Sequence, residues 1–142
     1  MKLEDQVCSL ELAKKLKELG VKQDSFWYWY AFDGMKWNLG EYDYLQEMQS
    51  VYSEEDYETV TSAFTVAELG EMLPSKIEGW FELKEMKIEG AFNDGFRLWY
   101  FERAVDEKTR WFEDGSEANA RAKMLVHLIE QGMVTLELLK KG

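Results

Sequence analysis

The chain has one cysteine, one proline and one histidine among its 142 residues. A lone Cys8 permits no intrachain disulfide, which points to a reducing compartment. A lone His127 leaves little material for histidine-based acid–base chemistry or metal ligation. With a single proline, Pro74, and no Pro/Gly/Ser-rich linker, the chain is expected to form one domain over residues 1–142. No apolar run approaches the roughly 20 residues of a membrane-spanning helix. The start, Met1-Lys2-Leu3-Glu4-Asp5-Gln6, carries no apolar signal core, so a bacterial host cytoplasm is the expected location. The motifs G-x-x-x-x-G-K-[ST], G-x-G-x-x-G, G-x-S-x-G, H-E-x-x-H and C-x-x-C are missing. Their absence removes the enzyme classes that depend on them. A non-enzymatic protein is expected, with no catalytic residue, cofactor or metal.

Positive charge is scarce as well. The net charge is −11, and no lysine or arginine occurs between Lys36 and Lys76. That same stretch holds nine carboxylates: Glu41, Asp43, Glu47, Glu54, Glu55, Asp56, Glu58, Glu68 and Glu71. Tyr42, Tyr44, Tyr52 and Tyr57 are interleaved with the first seven. This balance opposes direct contact with nucleic-acid backbones, which needs clustered Lys and Arg. It also opposes docking on anionic membranes. It favours a protein partner that is basic or DNA-binding.

Against these absences stands a large apolar content, 46% hydrophobic and 15% aromatic, enough to build a core without staples. Val7, Leu10, Leu12, Ala13, Leu16 and Leu19 recur at helical spacing and predict a helix over 7–19, with Gly20 at its C′ position. Phe26–Phe32 and Met35–Leu39 flank Asp33-Gly34, a hairpin signal. A two-residue loop would set Phe32 opposite Met35, Tyr30 opposite Trp37 and Tyr28 opposite Leu39. The other face would carry Trp27 and Trp29. Two exposed indoles would forfeit several kcal/mol at about 25 cal/mol per Å2, so a second layer or a ligand should cover them.

Residues 42–52 could form a loose helix. Thr65-Val66-Ala67-Glu68 is a capping box opening a helix that Pro74 ends. Residues 80–113 predict a three-strand meander: 80–88, 96–103 and 109–113. Its apolar residues occupy both faces, which fits a sheet covered at least in part on both sides. Ser116 caps a last helix, and 134–139 is apolar enough for a strand or a helical turn. The expected fold is α+β: a mostly antiparallel sheet of about four to six strands with helices on both faces.

The candidate binding residues follow from this layout. The acidic surface comprises Glu41, Tyr42, Asp43, Tyr44, Glu47, Glu54, Glu55, Asp56 and Glu58. The aromatic face comprises Trp27 and Trp29, which with Tyr42 and Tyr44 could cage a cation. The competing reading puts both indoles under a helix as core. Residues 54–58 lack the alternation and glycine of a calcium loop and read as a solvated loop. Arg97, Arg103, Arg110 and Arg121 could grip a phosphate, but cross-strand pairing of Arg97 and Arg103 with Glu82 or Glu113 is more economical. Cys8 reads as a buried structural thiol, and His127 as a surface or boundary residue.

Three blocks carry a resemblance: Gln6 to Gly20, Phe64-Thr65-Val66-Ala67-Glu68-Leu69-Gly70-Glu71-Met72-Leu73-Pro74, and Glu117-Ala118-Asn119-Ala120-Arg121-Ala122-Lys123-Met124-Leu125. They resemble small proteins encoded in phages and prophages of gut Bacteroidota. The order of helix, strands and closing helix is also similar to the phage α-β-α sandwich domain. The resemblance implies a phage or mobile-element accessory protein, and it brings no site residue. A sharper reading of the acidic segment is a nucleic-acid mimic or anti-defence protein, whose carboxylates would stand where a DNA-binding host protein expects phosphates. A different class of function is a nucleotide-like small-molecule binder, using tryptophan stacking and arginine contacts.

Overall fold

A computed structural model describes residues 2–32, 36–51, 57–77, 81–88, 95–102, 107–108 and 111–139. The fold is α+β with antiparallel strands. A short 3-10 turn, Leu3–Asp5, precedes α1 (Leu10–Glu18), whose N-cap Ser9 accepts a hydrogen bond from the Leu12 N–H. Val7, expected to open this helix, lies outside it and bridges to Thr65 instead. Gly20 follows α1 with φ +94°, the left-handed value that a C′ glycine supplies.

The strands divide into two sheets. The first contains β1 (Trp27–Phe32), β2 (Asn38–Glu41) and β3 (Tyr57–Ala63) in the order β2-β1-β3. Helix α2 (Tyr42–Val51) follows β2 directly, where a loose helix was expected. The second sheet contains β4 (Lys76–Ile77), β5 (Phe81–Ile88), β6 (Gly95–Glu102), β7 (Glu107–Lys108) and β8 (Phe112–Asp114). Both β7 and β8 pair with β6, β7 at its C-terminal end and β8 at its start. Between the sheets in sequence lies α3 (Val66–Met72), opened by the expected Thr65/Glu68 capping box. Helix α4 (Glu117–Glu130) carries the expected Ser116 cap, and 136–139 resolves as a helical turn, α5 (Leu136–Leu139).

The hairpin register differs from the two-residue-loop expectation. Tyr28 pairs with Gly40, Trp29 with Leu39 and Tyr30 with Asn38. A one-residue slip moves every side chain of one strand to the other face. The two tyrosines therefore share a face with Gly40 and Asn38, and the two tryptophans share one with Leu39 and Glu41. Gly40 accounts for this choice. A Cβ there would lie 2.8 Å from Tyr30 Cε1 and 3.3 Å from Tyr44 Cδ1, so the missing side chain is the space the rings occupy. The loop residues 33–35 lie outside the described residues.

Each face of the first sheet has its own cover. Tyr28, Tyr30 and Leu45 form a small core with Val60 under α2. Tyr28 and Tyr42 stand 6.2 Å apart between ring centroids, as do Tyr30 and Tyr44. On the other side α1 packs against β3, and Trp29 joins the main core. That core continues through Leu16, Phe64, Leu69, Leu98, Tyr100 and Leu125, each fully buried. Side chains of this size contribute about 1.5–3 kcal/mol apiece on burial. Helix α4 is its axis, packing on α1, α3, β6 and β8. Its buried Ala118, Ala120 and Ala122 allow close approach on several sides at once.

Candidate binding site

The antiparallel register alone assembles the site. Trp27 opens β1 and Glu41 closes β2, and the two are paired across the strands. Phe26 therefore meets Tyr42 and Asp43 at the same end of the sheet. Ser25, Phe26, Trp27, Glu41, Tyr42 and Asp43 line a depression of ≈ 410 Å3. A second depression of ≈ 340 Å3 also borders Ser25 and Phe26. Its apolar lining is Val21, Phe64, Met72 and Leu136, and Asp24, Glu68, Glu71 and Lys22 are its charged residues. Lys22 is 3.9 Å from Asp24, so its charge is matched within the rim.

Phe26 is 73% exposed, the most exposed large apolar side chain among the described residues. The loop that presents it is tied down. Its N–H donates to Glu68 Oε2 at 3.2 Å. The Ser25 N–H donates to the Tyr28 hydroxyl, which itself donates to the Gln23 carbonyl. Ser25 Oγ donates to the Trp27 carbonyl at 2.6 Å, and Gln23 Oε1 accepts from the Ser62 N–H at 2.7 Å. Glu68 also closes the capping box through Oε1, so one carboxylate fixes both the helix start and the Phe26 backbone. An exposed aromatic on a loop held this way has little ordering left to do on binding.

The sequence candidates are distributed unevenly. Glu41, Tyr42, Asp43, Tyr44 and Glu47 come together on β2 and the first turns of α2, all exposed. Asp43 and Glu47 are one turn apart, on one helix face. Glu54, Glu55 and Asp56 lie outside the described residues, and of Glu58 only its place in β3 is described. Trp27 is half-buried and lines the depression. Trp29 is placed differently: its ring packs on the main core, and its indole N–H donates to the Cys8 carbonyl at 3.0 Å. The indole face thus splits into one site residue and one core residue.

The described arginines are engaged elsewhere. Arg97 pairs across the strands with Glu113, as the economical reading expected, and its guanidinium lies 5.3 Å from the Trp111 ring centroid. Arg121 bonds Glu85, Glu117 and the Val66 carbonyl. Arg103 and Arg110 lie outside the described residues. Neither depression holds an arginine among the described residues, so the stacking-plus-guanidinium pocket of a nucleotide binder is not assembled there.

Protein-family models, curated proteins and solved structures were compared with the chain, and none matches. The site is therefore read from its own chemistry. Cys8 is fully buried, and burial pushes its thiol up to about 12, far from a reactive thiolate. His127 sits half-buried on α4 with its ring centroid 5.1 Å from that of Phe112. No group of three or more metal-ligating side chains occurs among the described residues. No helix among them is long and apolar enough to cross a membrane.

Sequence reasoning missed Phe26, Asp24, Glu68 and Glu71 as site residues. Phe26 read as the first residue of a core strand, and Glu68 as a helix cap. The available signal was Asp24-Ser25 directly before Phe26: two turn-prone residues place the next side chain at a strand's exposed start.

Proposed function

We propose that the protein is a non-enzymatic binding module that captures a basic protein through the acidic, aromatic surface around Phe26. The observation that carries this reading is the 73% exposure of Phe26 beside two depressions, one lined by Asp24, Glu68, Glu71 and Lys22 and the other by Glu41 and Asp43. An apolar anchor with carboxylates in excess around it, five against the one ammonium of Lys22, suits a partner segment that alternates apolar and basic residues. The aromatic would set affinity, and the carboxylates would set encounter rate and partner sign. The resemblance to phage and prophage proteins makes a host DNA-binding protein the partner of first choice, with the carboxylates standing where phosphates would.

The test is a pull-down with tagged protein from nuclease-treated lysate of a gut Bacteroidota species, read by mass spectrometry. Wild type is run beside a Phe26→Ser, Glu41→Gln, Asp43→Asn variant. The expected result is a basic protein retained by wild type and lost from the variant, at unchanged melting temperature. Equal retention by both, or a captured set with no basic protein, overturns the reading.

A further inference from the structure

The two depressions beside Phe26 differ in chemistry. The one at the Phe64 side has an apolar lining with a mixed-charge rim, including Lys22. The one at the sheet end is lined by Ser25, Phe26, Trp27, Glu41, Tyr42 and Asp43, three aromatic residues and two acidic ones, and no basic residue is in its lining. Aromatic faces carry negative quadrupole charge, and a carboxylate beside them adds a full negative charge. That combination selects a cation with an apolar skin over either a neutral apolar group or a small hydrated ion.

The geometry is set before any ligand arrives. Trp27 is fixed in the strand pair opposite Glu41. The Tyr42 ring rests at 6.2 Å from Tyr28, whose hydroxyl is bonded to the Gln23–Ser25 loop. Phe26 is held through its N–H by Glu68. Tyr42 is nevertheless 54% exposed and Phe26 73% exposed, so both rings keep surface for a ligand to cover.

We infer that the depression formed by Phe26, Trp27, Glu41, Tyr42 and Asp43 is a recognition pocket for an alkylammonium group, the lysine or methylated-lysine side chain of the basic partner. The inference rests on the proposed capture of a basic protein and names its anchoring residue. Guanidinium is a poorer match, because its planar fork is best used by bidentate carboxylates.

The test uses the intact protein and four probes: capped lysine amide, capped trimethyllysine amide, capped arginine amide and the neutral all-carbon isostere of trimethyllysine. Binding is followed by the Trp27 indole N–H and the Tyr42 amide in nitrogen–proton NMR spectra. Saturable shifts with trimethyllysine are expected, with the isostere about tenfold weaker. A Tyr42→Leu variant should lose that preference; its ring is at the surface, so the fold persists. Equal binding of the isostere, a preference for arginine or the absence of saturable shifts overturns the inference. These results leave the capture proposal standing if the Phe26 variant still loses the basic protein. Loss of capture in neither variant, with ammonium binding intact, overturns capture instead.

Discussion

Gly40 shows how one absent side chain decides the arrangement of many present ones. Tyr30 and Tyr44 fill the space over its Cα, and that filling fixes which face of the hairpin carries tyrosine and which carries tryptophan. Gly40→Ala places a methyl 2.8 Å from a ring atom of Tyr30, a side chain that is 7% exposed and cannot swing away. The expected effect is a loss of about 1–3 kcal/mol, the usual range for overpacking, read as a lower midpoint in urea unfolding. An unchanged midpoint would mean that the rings repack freely. Because the tyrosines also brace Tyr42 and the Phe26 loop, the variant should weaken partner capture even at temperatures where it stays folded.

The start of α4 is an element built by one carboxylate. Asp114 Oδ1 accepts from the Ser116 N–H at 2.9 Å, Ser116 Oγ accepts from the Asn119 N–H, and Asn119 Oδ1 accepts from the Ser9 N–H at 2.7 Å. Lys123 closes the turn, 2.9 Å from Asp114 Oδ2. The chain of bonds joins β8, α4 and the N-cap of α1. Burial alone would raise the Asp114 carboxyl, but the Ser116 N–H and the Lys123 ammonium outweigh it and hold it below the usual carboxylate range. A carboxyl that is low when folded and near about 3.9 when unfolded contributes stability that is complete above that value. The contribution fades as pH falls through the folded value. Asp114→Asn should therefore lower stability by on the order of 1 kcal/mol at neutral pH, and the gap to wild type should close as pH falls below about 4. A gap of constant size down to acid would show that the charge on Asp114 contributes nothing.

Such elements were largely legible because their signals are local. Ser116, the Thr65/Glu68 box and Gly20 each satisfy orphan helix groups within a few residues, so the sequence states the geometry directly. Two strands of the meander were legible through alternation and turn residues, whereas the third, expected over 109–113, is replaced by the two short strands β7 and β8 at opposite ends of β6. Strand β3 was missed: Tyr57-Glu58-Thr59-Val60-Thr61-Ser62-Ala63 follows an acidic run, and its pairing partner β1 is some thirty residues away. The division into two sheets was illegible too, because which strands share a sheet is settled by packing on α1 and α4. The site was half legible. Glu41, Tyr42 and Asp43 stand out by composition, whereas Phe26 had only the turn-prone Asp24-Ser25 before it, and its meeting with Tyr42 and Asp43 depends on the β1–β2 register.

At the scale of the whole molecule the charge of −11 acts on stability and on binding with opposite sign. Among the described residues, pairs such as Lys15–Glu130 and Lys84–Glu82 are exposed at 3.8 and 3.5 Å. Exposed pairs of this kind contribute about 0–1 kcal/mol and lose little when screened. The dominant long-range term is then repulsion among the excess carboxylates, and salt weakens it, with a Debye length of about 10 Å at 0.1 M and about 3 Å at 1 M. Raising sodium chloride from low to near-molar concentration should raise the melting temperature, by about 2–4 °C for each kcal/mol of repulsion removed. Capture of a basic partner depends on the unscreened field, so the same salt should weaken it mainly through a slower association rate. Scanning calorimetry and stopped-flow mixing across one salt series read both effects. A melting temperature that falls with salt would mean that specific ion pairs such as Arg121 with Glu85 and Glu117 outweigh the net repulsion. An association rate indifferent to salt would leave the Phe26 ring, and not the carboxylates around it, as the source of partner choice.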